Sequence, residues 1–369
     1  MNAHAVPVAL WPLGTARLGL DVFFTLSGFL VVQSWNSTRA GAPSTLRALW
    51  DYASRRARRI LPAYWVMVAI LVPIVGRELL AHPERIVAFA SLSQGVRFWL
   101  PERLNVVTWS LTTETYFYVL VPLLAWLLRR AGKWPVLAVC VAASVLWWLD
   151  PPADLPQSFV FGRLAEFAAG AVAAELYLEH QRERAPAFVA HLGRGTVGVG
   201  IAAGILAIGT YHGASLGLSN VPTIDALVHP LVGTLAATGL LHLLLAGHTR
   251  VVASRPLQWA GIISFGVYLW HYPIFEYGLG WLRAIAPRPS VAATGTMVAL
   301  LCGACIAAGT VSYALIERPF IRRRNRAGPA AAAGTLDPWP SRRSSASRPS
   351  TASHCEARPI PILSSRRAS

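Results

Sequence analysis

Nine apolar runs, divided by stretches that hold most of the arginine, limit what this chain can become. They cover about residues 18–35, 60–76, 106–128, 134–149, 158–178, 196–211, 226–246, 258–282 and 291–316. A membrane-crossing helix needs about 20 mostly apolar residues, and each run reaches or approaches that length. The pattern predicts an all-α fold: a polytopic transmembrane helix bundle of about nine full spans. Segment 86–100 is apolar but interrupted by Gln94, Gly95 and Arg97, which predicts a loop or re-entrant piece. Composition agrees: 54% of residues are hydrophobic and 14% charged, against about 25% charged in soluble domains. That excludes a disordered chain, a coiled coil and most soluble enzymes.

Charge placement orients the bundle. The net charge of +16 would suggest nucleic acid in a soluble protein. Here the arginines lie between apolar runs, so lipid and cytoplasm are the expected surroundings and no nucleic acid is expected. Residues 39–59, 129–133, 182–194, 250–255 and 318–326 are the basic stretches. Placing all of them in the cytoplasm lets the spans alternate, with 77–105, 150–157, 212–225 and 283–290 on the other side. The 77–105 loop, with four arginines, fits this scheme least well. The reading is an integral, multi-pass protein of the plasma or inner membrane with a cytoplasmic C-terminus. Residues 1–17 then begin outside. No signal peptide is visible at Met1 to Val8. Residues 327–369, rich in Ala, Ser, Pro and Arg, predict a disordered cytoplasmic tail beyond a transmembrane domain over 1–326. Cys302 and Cys305 form a C-x-x-C inside an uncharged run, where two small residues in a helix are expected rather than a zinc or redox site. No metal site is expected elsewhere.

Ionisable residues within the runs are site candidates, because a charge at the bilayer centre costs at least about 2.5–3.5 kcal/mol. These are Asp21, Glu114, Arg163, Glu166, His229, His242, His271 and Glu276. Arg163 and Glu166 are three apart on one helix face, and an ion pair is their simplest fate. Asp21 suits a helix cap, His229 a water-facing helix start, and His242 a helix-packing hydrogen bond. Glu114 has no such simple account, and Ser110 lies four residues before it on the same face. Ser27 lies in Leu-Ser-Gly without a G-x-S-x-G elbow, so packing by a small residue is expected there.

Six stretches follow one another: GLDVFFTLSGFL at 19–30, RRARRILP at 55–62, WSLTTETYFY at 109–118, RLAEFAAG at 163–170, ISFGVYLWHYP at 263–273 and SYALIERPF at 312–320. In this order they resemble the acyltransferase 3 family of membrane O-acyltransferases. The resemblance covers about residues 4–326. It implies ten spans, cytoplasmic termini and a first span carrying R-x10-H. His4 falls at that histidine, while the arginine would lie before Met1. The chain therefore holds only a remnant of a first span. Either the natural start lies upstream or the chain is a truncated, inactive form.

The resemblance also implies acyl-CoA as donor substrate, with no bound cofactor, and a hydroxyl-bearing glycan or small-molecule acceptor, with acetyl as the default acyl group. An alcohol needs a base to remove its proton as it attacks a thioester, and histidine titrates in the right range. His4 is the candidate base, and a histidyl-acyl intermediate is a variant. Glu114 would orient the histidine or the acceptor. Arg56 and Arg59, spaced R-x-x-R, are candidates for the CoA phosphates, which guanidinium groups bind bidentately; ordinary positive-inside charge is the alternative. Asp21, Arg163, Glu166 and His271 are read as structural or as lining the acceptor path. The rival classes are a transporter or flippase, for which inverted repeats are missing, and an inactive scaffold.

Overall fold

In a computed structural model, the described residues are 18–93, 104–150, 159–215, 222–247, 254–285 and 290–322. His4 and the tail over 327–369 lie outside them. The described residues are helical and form no strand. The helices are α1 (Gly19–Gly41), α2 (Thr45–Val75), α3 (Pro83–Ala90), α4 (Thr108–Ala131), α5 (Lys133–Leu149), α6 (Leu164–Gln181), α7 (Ala187–Leu192), α8 (Gly195–Ser215), α9 (Pro222–Leu245), α10 (Arg255–Ile285), α11 (Val291–Ser312) and α12 (Arg318–Arg322). A π-helical turn, Tyr313–Glu317, joins the last two.

Every apolar run falls on a helix. Among the described residues, four helical stretches are long and apolar enough to cross a membrane: Thr45–Val75, Thr108–Ala131, Ala226–Leu245 and Ala293–Ile321. Outward positions such as Leu30, Val119, Val139 and Leu300 are exposed, as expected of faces turned to lipid rather than water. Two boundaries differ from the expectation. The run at 60–76 is the second half of a helix that begins at Thr45, capped by Ser44 Oγ accepting from Arg47 N at 3.2 Å. The basic stretch before it is therefore largely helical. Within 86–100, α3 extends to Ala90, started by Pro83 at its first turn, where a missing N–H costs nothing.

Small residues decide how the helices meet. A Cβ on Gly28 of α1 would collide with the Phe167 carbonyl of α6, and one on Gly170 of α6 with the Thr25 carbonyl of α1. The two backbones touch because neither position has a side chain, the usual device of membrane helix pairs. Gly170→Val is therefore expected to separate α1 from α6 and lower the melting temperature in detergent by several degrees; an unchanged value would refute the close approach. Next to this contact, Phe117 of α4 stacks on Phe167 with ring centres 3.8 Å apart, and Phe24 packs on the same ring at 5.1 Å. A second core joins α2, α3, α4 and α10 around Tyr64, Met67, Leu111 and Leu269.

Prolines create specific needs. Pro122 in α4 and Pro273 in α10 sit inside helices and have no N–H to give the carbonyl four residues back. Those carbonyls belong to Tyr118 and Leu269. Tyr52 Oη donates to the Tyr118 carbonyl at 3.2 Å, and Asn105 Nδ2 donates to the Leu269 carbonyl at 2.9 Å. Side chains from neighbouring elements thus supply what proline removed.

Candidate active site

Two groups of buried charges stand out, apart from Glu317, which accepts from Ser312 Oγ at 3.3 Å. The first is centred on Arg163, which ends a short 3₁₀ turn, Val160–Arg163, before α6. Its Nη1 lies 2.7 Å from Asp21 Oδ1, 3.0 Å from Glu166 Oε1 and 2.7 Å from His229 Nδ1. His229 Nδ1 is also 2.8 Å from Asp21 Oδ1. The expected Arg163–Glu166 pair is present, but it belongs to a four-residue cluster from α1, the α6 start and α9. Asp21 forms no helix cap, since the α1 start has no side-chain cap; its carboxylate turns to the guanidinium instead. His229 is buried among these groups rather than facing water. The rings of Phe24, Trp109 and Trp148 surround the guanidinium, with its carbon 5.7, 5.7 and 5.2 Å from their centres. Arg163 Nε and Glu166 Oε2 are buried without a hydrogen-bond partner among the described residues.

Asp21, Glu166 and His229 also present ligand atoms within 4.8 Å of one another, close enough to hold a metal ion. Arg163 Nη1 sits within 3.0 Å of all three, so the guanidinium already supplies the positive charge at that point. Treatment with EDTA is accordingly expected to leave the melting temperature unchanged; a fall of several degrees would show that a cation competes with Arg163.

The second group is centred on Glu114, buried in α4. Its Oε1 accepts from Ser27 Oγ at 2.7 Å and from Tyr118 Oη at 2.5 Å. Ser27 is thus more than a small packing residue: it ties α1 to the carboxylate. Arg56 of α2 lies beside this group, its guanidinium carbon 5.3 Å from the Tyr118 ring centre and 5.8 Å from that of Tyr52. Arg56 and Arg59 are both within electrostatic range of the Glu114 carboxylate, and Arg59 itself is exposed. The basic part of α2 and the W-S-L stretch of α4, far apart in sequence, therefore meet around one carboxylate. Ser110, one turn before Glu114, pairs with Tyr268 Oη at 2.9 Å. His271 Nδ1 stays on its own helix, 2.7 Å from the Tyr268 carbonyl. His242 Nδ1 meets the Leu192 carbonyl at 2.7 Å, a packing bond.

The sequence profile described as "Acyltransferase domain", of the acyltransferase 3 family, matches residues 2–315. The chain belongs to this family. Membership makes it a membrane protein and an enzyme that transfers acyl groups other than amino-acyl groups. The acyltransferase is 26% identical over 324 residues to the exopolysaccharide production protein ExoZ of Rhizobium meliloti, covering 83% of this chain and 89% of that protein. It is 25% identical over 320 residues to the peptidoglycan O-acetyltransferase OatA of Listeria monocytogenes, covering 73% of this chain but 47% of that protein. The acyltransferase MdmB of Streptomyces mycarofaciens is 26% identical over 346 residues, covering 86% and 84%. No solved structure matches the chain. Tyr52 lies in none of the six motif stretches, although its spacing of four from Arg56 puts the two on one helix face.

Proposed function

We propose that this acyltransferase moves an acetyl group from acyl-CoA to a hydroxyl of an envelope glycan or related acceptor. The observation that carries the reading is the arrangement at Glu114: a buried carboxylate holding two hydroxyls, with Arg56 beside it and Arg59 within range. Arg56 and Arg59 would hold the CoA phosphates at the cytoplasmic mouth, since a planar guanidinium matches phosphate oxygens two at a time. The names of the relatives, an exopolysaccharide production protein and a peptidoglycan O-acetyltransferase, support a glycan acceptor.

In the proposed reaction, the acceptor oxygen attacks the thioester carbonyl carbon. A base, for which His4 is the candidate, takes the hydroxyl proton as the C–O bond forms. Collapse of the tetrahedral intermediate breaks the C–S bond, and the departing thiolate takes up the proton. The products are an O-acyl ester and CoA thiol. Glu114 orients the groups around it. The chain would sit in the membrane with nine full spans besides its N-terminal segment, its C-terminus and residues 327–369 in the cytoplasm.

Complementation tests this. Cells lacking the gene and re-expressing the full chain are expected to regain alkali-labile acetyl esters on their envelope polysaccharide, measured by mass spectrometry. Cells expressing Arg56→Ala/Arg59→Ala are expected to lose at least nine-tenths of them. Equal ester content with and without the chain would refute the reading.

A further inference from the structure

We infer that Tyr52 is a positioning residue that holds Arg56 in place for the donor's phosphates; this rests on the donor reading given above. Arg56 stands on α2, where a long flexible side chain would sample many rotamers unless held, and holding it lowers the entropy lost on binding. Two rings hold it. Tyr52, one turn earlier on the same helix, and Tyr118, from α4, place their ring centres 5.8 and 5.3 Å from the guanidinium carbon. Both distances are within cation–π range.

Tyr52 is itself fixed at both ends. Its hydroxyl donates to the Tyr118 carbonyl, which is available because Pro122 cannot donate to it. Its ring and that of Trp35 from α1 meet in a T-shaped pair, with centres 5.5 Å apart and planes at 82°, and the residue is 4% exposed. The other wall of the slot, Tyr118, is fixed by its hydrogen bond to Glu114. A proline-freed carbonyl, a tyrosine and a carboxylate thus set the position of one arginine, and the slot links that arginine to Glu114. A guanidinium carries five N–H donors, and their planar fork is the part that binds phosphate.

The test is a double-mutant cycle on the full chain in nanodiscs, read by binding of tritiated acetyl-CoA. Tyr52→Leu is expected to weaken binding about tenfold, the size of one well-placed cation–π contact. Tyr52→Phe, which keeps the ring, should lose less than threefold. In an Arg56→Ala background, Tyr52→Leu should cause no further loss, because its effect runs through Arg56. Tyr52→Met, similar in bulk but not aromatic, replaces Tyr52→Leu if the latter does not fold. Equal losses with and without Arg56, or no loss at all, would overturn the inference while leaving the donor reading intact. A wild-type chain that binds no acetyl-CoA would remove the donor reading, and this inference with it.

Discussion

Arg163→Met is expected to abolish accumulation of folded protein in the membrane. The substitution keeps bulk but leaves the carboxylates of Asp21 and Glu166 facing each other in a buried site, together with His229. Breaking a buried ionic group by removing one partner costs about 3–5 kcal/mol, a large share of the roughly 5–15 kcal/mol that holds a domain folded. Three aromatic rings lose their cation as well. Arg163→Lys should recover only part of the loss, because a single ammonium lacks the planar shape that fills the ring-lined site. The yield of monodisperse protein extracted from membranes, compared across the variants, checks this, with thermal unfolding in detergent for those variants that accumulate. Adding Asp21→Asn and Glu166→Gln to Arg163→Met should restore much of the stability, since the unbalanced charges are then gone. A triple variant no better than the single one would mean that Arg163 acts through packing alone.

Glu114→Gln is expected to reduce acyl transfer about a hundredfold or more while the protein folds normally, the size of loss that follows when an orienting group no longer holds the reacting groups in place. The amide oxygen can still accept from Ser27 and Tyr118, so the contact between α1 and α4 survives. What disappears is the negative charge beside Arg56. Steady-state rates with labelled acetyl-CoA, set beside a melting temperature within 2–3 °C of wild type, test the prediction; a change of that size corresponds to about 1 kcal/mol or less. Wild-type rates would remove Glu114 from the reaction.

Much of the helix layout was legible in the sequence because apolar runs and charge breaks are one-dimensional signals. The helices lie where those runs are, although the basic stretch before residue 60 is helix as well. Pairing on one helix was legible too: Arg163 and Glu166 are three apart and bond as their spacing implies. Partners on different helices were not. Asp21 and His229 are separated by 208 positions and Ser27 and Glu114 by 87. No local pattern says which faces of two helices meet. The glycines that set the α1–α6 contact, Gly28 and Gly170, lie within motif stretches, but their mutual placement follows only from the packed structure. Tyr52 was missed for a different reason. Its partner is a main-chain carbonyl exposed by Pro122 on another helix, and a tyrosine among arginines in a basic stretch gives no sign of that.

The most direct measurement uses sealed proteoliposomes of the full chain, supplied with acetyl-CoA carrying a labelled acetyl group and with isolated envelope polysaccharide. The account predicts label in the polysaccharide as an ester released by mild alkali, formed together with an equal amount of free CoA thiol, and reduced at least a hundredfold by Glu114→Gln. Label that stays on CoA with folded wild-type protein, or transfer that is indifferent to Glu114, would contradict it.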